Sequence, residues 1–116
     1  MKIIIKRDYE ELSKVAASII EKFRDGEKNT ALKMFTDDNN KIMQGVLEPG
    51  ASIGLHTHEG NSEVIFILEG NGKILYDGEY ETLEKGSCHY CPMGHSHSLI
   101  NDSDKDLVFF AVVPNH

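Results

Sequence analysis

The sequence predicts a mainly β fold, a small barrel or sandwich of short strands preceded by one amphipathic helix. Three observations predict it. From Asn29 onward the chain falls into apolar or alternating runs of five to eight residues separated by Gly, Pro, Asn and Asp, the pattern of a barrel or sandwich. Asp77-Gly78, between Lys73-Ile-Leu-Tyr76 and Tyr80-Glu-Thr-Leu83, is a two-residue hairpin signal. Only residues 8 to 24 repeat their apolar side chains at helical spacing.

Taken in order, Lys2-Ile-Ile-Ile-Lys6 reads as an edge strand with an apolar centre. Asp8-Tyr-Glu-Glu11 has the form of a capping box. Tyr9, Leu12, Val15, Ala16, Ile19, Ile20 and Phe23 then form one stripe, predicting a helix of about four to five turns. Lys22 and Arg24 suit its negative end, and Gly26 is placed to stop it. Such a helix packs outside the barrel as a lid, with a dimer-forming or pocket-gating role as the sharper alternative. A single helix with an acidic start is not a helix-turn-helix. The expected organisation is an N-terminal strand and helix over residues 1–29 and one barrel domain over 30–116, joined at Asp25-Gly-Glu-Lys-Asn29.

Strands are expected at Thr30–Thr36, Lys41–Glu48, Ser52–His58, Ser62–Glu69, Gly72–Tyr76, Glu79–Glu84, Ser87–Cys91, Ser96–Asn101 and Leu107–Val113. Pro49-Gly50 and Glu69-Gly70 sit at strand ends, where turns need a fixed or positive φ. Pro92-Met-Gly94 ends one strand and re-aims the chain into the next.

Composition sets limits on function. The chain has 116 residues, 40% hydrophobic and 27% charged, with a net charge of −7. One modest core is all that this length buries. The acidic balance argues against a nucleic-acid partner, since phosphate binding needs a basic face. The longest apolar runs are strand length, too short to span a bilayer. No signal peptide is readable in Met1-Lys-Ile-Ile-Ile-Lys-Arg-Asp8, so no membrane partner and a cytoplasmic location are expected.

The chemistry concentrates in Gly50-Ala-Ser-Ile-Gly-Leu-His56-Thr-His58-Glu-Gly-Asn-Ser-Glu63. Alternate residues of a strand share a face, so His56 and His58 project together, roughly 7 Å apart at Cα. Glu63, on the following strand, closes a third side. A further donor lies in Gly86-Ser-Cys-His-Tyr-Cys-Pro-Met-Gly-His-Ser-His97-Ser-Leu-Ile-Asn101. Three imidazoles and one carboxylate suit a divalent first-row transition metal, whether Mn, Fe, Co, Ni or Zn.

These two segments resemble the motifs of the cupin superfamily. The first fits G-x5-H-x-H-x4-E-x6-G with Gly50, His56, His58, Glu63 and Gly70. The second fits G-x5-P-x-G-x2-H-x3-N with Gly86, Pro92, Gly94, His97 and Asn101. The intervening stretch, Asn71 to Lys85, has the short spacing of small microbial cupins. The resemblance covers roughly residues 30 to 114. It implies a double-stranded β-helix, or jelly roll, with the metal inside one end, held by His56, His58, Glu63 and His97.

Parity along the strands extends the inner wall. With His56 and His58 inward, Ser52 and Gly54 are inward and Ile53 and Leu55 face the other way. Ile65 and Ile67 share the face of Glu63, and Leu99 and Asn101 that of His97. Relatives usually carry apolar residues at the positions of His89 and Cys91, so His89 departs from the pattern. It is a partner behind a ligand, a general acid/base or a locally satisfied core residue. His95 is expected in an exposed loop, His116 at a disordered end, and Glu59 in solvent; Glu69 lies at the far end of its strand. Cys88 and Cys91 form Cys-x-x-Cys, but residues three apart on a strand face opposite sides. Both are read as small apolar residues with free thiols, neither a disulfide nor a zinc site.

A divalent ion on three neutral imidazoles and one carboxylate keeps a charge of about +1. In octahedral geometry such a set leaves two adjacent positions for water, oxygen or a bidentate ligand, favouring carboxylates, enediols and sugars. Two functions from different classes follow. The first is a metalloenzyme acting on a small polar or anionic molecule, of dioxygenase or isomerase/lyase type, and the intact ligand set favours it. The alternative is a non-catalytic metal- or small-ligand-binding protein, because no further acid/base pair announces itself. A homodimer is expected from the apolar edge strand and the helix stripe.

Overall fold

The computed structural model describes residues 3, 11–14 and 17–116. Among the described residues, ten strands form two antiparallel sheets. They are β1 (Ser18–Glu21), β2 (Asn29–Thr36), β3 (Asn40–Leu47), β4 (His56–Thr57), β5 (Glu63–Glu69), β6 (Gly72–Tyr76), β7 (Glu79–Leu83), β8 (Cys88–Cys91), β9 (Ser96–Ile100) and β10 (Leu107–Pro114). The larger sheet runs β1-β2-β3-β10-β5-β8 and the smaller β4-β9-β6-β7.

Alternation in the sequence explains which faces meet. Strand β10 buries Leu107, Phe109, Ala111 and Val113, while Val108, Phe110 and Val112 point the other way. Its neighbours follow the same register: Phe109 lies opposite Gly45 of β3 and Ile67 of β5. Leu32, Met43, Leu47, Ile65 and Ile67 from the larger sheet then meet Ile74, Leu83 and Leu99 from the smaller in one core. Each fully buried aliphatic side chain of this kind contributes about 1.5–3 kcal/mol. The hairpin at Asp77-Gly78 closes as expected, with Tyr76 opposite Glu79 and φ of 49° and 86° at its two central residues. Both positive angles are what a type I′ turn demands.

The expected N-terminal helix is absent among the described residues. Among the described residues, Leu12–Lys14 is a single 3-10 turn and Ser18–Glu21 is strand β1, paired antiparallel to β2 from Ser18–Leu32 to Glu21–Asn29. The supposed apolar stripe is split: Leu12 is fully buried, whereas Ile19 is 64% exposed. Ile19 and Ile20 are β-branched, and pairing with β2 offers them a ladder that outweighs the helical periodicity. Tyr9, Val15, Ala16, the Asp8 cap and the Lys2–Lys6 strand, Ile3 excepted, lie outside the described residues. Ile3 and Leu12 join Phe35 in a small second cluster backed by Ile42 and Phe110, and the Leu12 amide donates to the Ile3 carbonyl at 2.6 Å.

Residues 22 to 27 form a strap instead of a helix end. Lys22 and Arg24 adopt left-handed backbone at φ 47° and 56°. The Phe23 carbonyl accepts from the Gly54 and Gly26 amides at 2.9 and 3.0 Å, and the Ser52 amide donates to the Glu27 carbonyl at 2.8 Å. The Glu27 amide completes the clasp on Ser52 Oγ at 2.8 Å. Gly26 is needed here because a Cβ would lie 2.0 Å from the Ser52 carbonyl oxygen.

Candidate metal centre

The four residues nominated by spacing converge at one end of the barrel. His56 on β4 lies directly opposite His97 on β9. His58 follows β4 and is pinned to the loop before β9, its amide donating to the His95 carbonyl at 3.0 Å and its carbonyl accepting from the Gly94 amide at 2.7 Å. Glu63 opens β5 on the other sheet, opposite Cys91 of β8. The site is therefore assembled across both sheets.

Three ring nitrogens and one carboxylate oxygen meet. His58 Nε2 lies 2.9 Å from His97 Nε2 and 3.1 Å from Glu63 Oε1. His97 Nε2 lies 3.1 Å from His56 Nε2 and 2.9 Å from Glu63 Oε1. His56 Nε2 and Glu63 Oε1 are 4.0 Å apart.

Each imidazole is fixed from behind. His56 Nδ1 donates to the Gly54 carbonyl at 2.7 Å, which puts the proton on Nδ1 and leaves Nε2 an acceptor. His58 Nδ1 meets Asn61 Oδ1 at 2.7 Å, and His97 Nδ1 meets His89 Nε2 at 3.1 Å. Outer partners of this kind set the tautomer and aim of metal-binding histidines. These contacts let each ring carry its proton on Nδ1 and turn an Nε2 lone pair toward the shared point beside the Glu63 carboxylate, where a cation would be held.

The spacing also fits an ion. Donors about 2.1 Å from a metal sit about 3.0 Å apart at right angles and about 3.4 Å apart at the tetrahedral angle. Four of the separations fall at 2.9–3.1 Å, and the fifth, at 4.0 Å, suits two donors on nearly opposite sides. The cluster is able to hold a metal ion.

Electrostatics point the same way. Burial lowers the His56 pKa to about 4, against a smaller upward pull from the Gly54 carbonyl. Burial pushes the Glu63 carboxyl up, but hydrogen bonds from His58 and His97 outweigh it and hold it at about 2. His58 is raised, chiefly by its hydrogen bond to Glu63.

The surroundings correct several sequence expectations. Ile53 is buried in the core rather than outward, and it lines the same cavity as His56 and His58. Strand β4 holds only two residues, so the alternation counted back from His56 does not run through Gly54 and Leu55. His116 is ordered by its amide bond to the Gly60 carbonyl and its ring contact with Ser62 Oγ at 2.8 Å. His95 is exposed as expected, with Nδ1 2.6 Å from Asp77 Oδ2. Glu59 is exposed, and Glu69 pairs with Lys85 at 3.1 Å. Cys88 and Cys91 are unbonded, but only Cys91 is buried; Cys88 is exposed. Burial raises the Cys91 thiol to about 11, so although it neighbours His89 and His97, it stays a protonated thiol.

Sequence reasoning did not assign Asn61, Arg24, Lys41 or the Gly54 carbonyl to the site. Asn61 carried a signal, standing in the turn between His58 and Glu63. The cavity over the cluster has a volume of about 50 Å³ and is walled by Phe23, Met34, Met43, Ile53 and Val113, with Arg24, Lys41 and Asn61 as its polar members beside the cluster itself. No helix among the described residues is long and apolar enough to cross a membrane.

Known proteins place this architecture. The oxalate-binding protein of Thermotoga maritima is 40% identical over 67 residues, 58% of this chain and 55% of that protein. An auxin-binding protein of Prunus persica is 33% identical over 69 residues, 55% of this chain and 33% of that protein. The chain thus spans about half the length of the first of these relatives and a third of the second. A crystal structure of a predicted oxalate decarboxylase from T. maritima superposes with a TM-score of 0.85 at 28% identity, covering 90% of this chain and 96% of that one. The cupin domain family matches residues 43–113, the stretch that carries both histidine motifs and the strands around them, and the chain belongs to that family.

Proposed function

We propose that this protein binds one divalent transition metal through His56, His58, Glu63 and His97 and uses it to hold a small carboxylate, with oxalate as the leading instance. The observation that carries this reading is the convergence of three Nε2 atoms on Glu63 Oε1 while their Nδ1 atoms are engaged outward. A bound divalent ion would supply a Lewis acid for carboxylate oxygens. The relative from T. maritima named for oxalate supports the ligand class.

Binding without turnover is the better supported mode. Among the described residues, the cavity is lined by no carboxylate or imidazole beyond the cluster itself, and its other charged members are the cations Arg24 and Lys41, so no acid/base pair stands beside the cluster. His89 stands behind His97 rather than in this cavity, and it also lines a separate groove with Tyr76, Glu81 and Thr82. An enzyme of lyase type, such as a decarboxylase, is the second reading, favoured by the likeness to the predicted oxalate decarboxylase of T. maritima.

Metal analysis of the wild type against His56→Ala plus His97→Ala tests the site; equal metal content in both would sink the assignment. Incubating the Mn(II)-loaded protein with oxalate and measuring formate and CO₂ separates the modes. Steady product release would establish the enzyme.

We also propose a homodimer through the outer face of the larger sheet. Val64, Phe66 and Tyr90 are 37%, 36% and 56% exposed, and Val64 lies directly opposite Tyr90 across the β5–β8 pair. Contiguous apolar area of this kind marks an interaction face.

A further inference from the structure

The cavity over the histidine cluster has a second polar wall, made of cations. In a chain of net charge −7, the two charged side chains that line this cavity outside the cluster, among the described residues, are Arg24 and Lys41. Neither has a carboxylate partner among the described residues, whereas Lys14, Lys73 and Lys85 all pair at the surface. Both stand outside residues 43–113, the stretch matched by the cupin family.

Their placement is built into the fold. Arg24 sits in the strap clamped to Ser52 and Gly54, two residues before His56, and its backbone is held at φ 56°, ψ 37°. L-residues adopt that region at a cost, which the clamp imposes here. Lys41 lies on β3 directly opposite Val113 of β10; Val113 and Met43, two residues along from Lys41, also line the cavity. One cation thus comes from the strap and the other from the sheet, across a mostly apolar space.

We infer that Arg24 and Lys41 form an anion-recognition wall facing the histidine cluster and select a small dicarboxylate, one carboxylate lying at the His56–His58–Glu63 face and the other meeting the guanidinium and ammonium. This rests on the metal-assisted carboxylate reading above. The volume of about 50 Å³ corresponds to a few heavy atoms, since one water needs about 10–15 Å³ on the same measure. That size admits a two- or three-carbon diacid and disfavours aromatic or long-chain acids. A guanidinium offers a planar fork to a carboxylate and a lysine a point charge, so the pair rewards a second carboxylate that a monoacid lacks.

Calorimetry with the Mn(II)-loaded full chain tests this, using oxalate, malonate and acetate as probes. The wild type is expected to bind oxalate or malonate more tightly than acetate. Arg24→Gln and Lys41→Met are each expected to lower diacid affinity about ten- to a hundredfold, with acetate affinity changed far less. Arg24→Lys should fall between, having kept the charge and lost the fork. Manganese content and melting temperature should stay at wild-type values, because neither side chain supplies a cluster atom. Diacid binding that survives unchanged in both folded, metal-loaded variants overturns the inference and leaves the metal–carboxylate reading standing. A metal-loaded wild type that binds none of the three acids overturns that reading and the inference with it.

Discussion

His89 Nε2 lies 3.1 Å from His97 Nδ1, and the two rings are 5.2 Å apart at their centroids. His89 stands opposite Ile65 on the edge strand β8 and reaches inward behind His97, whose own Nε2 is directed at the cluster. An Nδ1–H of His97 donated to His89 would leave Nε2 free for the proposed metal. Removing such a partner lowers metal affinity about 10–100-fold. His89→Phe is therefore expected to weaken Mn(II) binding by that factor in a competition titration. His89→Gln, which can still accept, should recover most of it. Equal affinity in all three proteins would reduce His89 to a packing residue.

Acid should destabilise the metal-free protein, in a direction set by two imidazoles. Burial lowers both His56 and His89 from 6.5 to about 4. Between those values the unfolded chain takes up protons that the folded chain refuses, so stability falls as pH drops from about 6.5 to about 4. His58 is raised and acts oppositely: its contribution is full below 6.5 and lost as pH rises above. Glu63, held at about 2, adds stability above 4.5 that disappears toward pH 2. Melting temperature against pH should thus decline on the acid side, and His89→Phe should flatten the slope between pH 6.5 and 4.

Gly26→Ala should loosen the strap. The added Cβ would lie 2.0 Å from the Ser52 carbonyl oxygen and 2.6 Å from the Gly54 amide nitrogen, both backbone atoms that cannot rotate away. Overpacking of this kind costs about 1–3 kcal/mol. Denaturant unfolding should show that loss, together with weaker oxalate binding as Arg24 is displaced. Wild-type stability would mean that the strap shifts freely.

The thiols should differ in reach. Cys88 is exposed and Cys91 buried, with Cys91 raised to about 11. Native alkylation without reductant is expected to add one group, at Cys88, and alkylation in denaturant to add two. A protein that takes up none in denaturant would hold a disulfide.

Light scattering at micromolar concentration is expected to give twice the chain mass of 13.0 kDa. Phe66→Asp with Tyr90→Asp should return the monomer without loss of metal, since both side chains point away from the cluster. Deleting residues 1–7 tests the alternative route through the N-terminal segment. A monomeric wild type refutes the dimer.

The sequence by itself determined most of the strands and nominated the cluster of candidate donors. Alternation of period two is a local property, visible in Glu63–Ile65–Ile67 and Leu107–Phe109–Ala111–Val113, and a motif with fixed offsets names His56, His58, Glu63 and His97 without reference to the rest of the chain. The Asp77-Gly78 turn was equally legible, because its two positive φ angles depend on those two residues alone. Tertiary structure decided what depends on distant neighbours. Ile19 and Ile20 fit a helix stripe and a strand alike, and only the presence of β2 beside them selects the strand. Ile53 turns inward because the backbone leaves its alternation at Gly54 to meet the strap, an encounter between segments 25 or more residues apart. Arg24 and Lys41 carry no motif. Their convergence over the cluster exists because the strap and β3 are brought together by pairings that no short window of sequence contains.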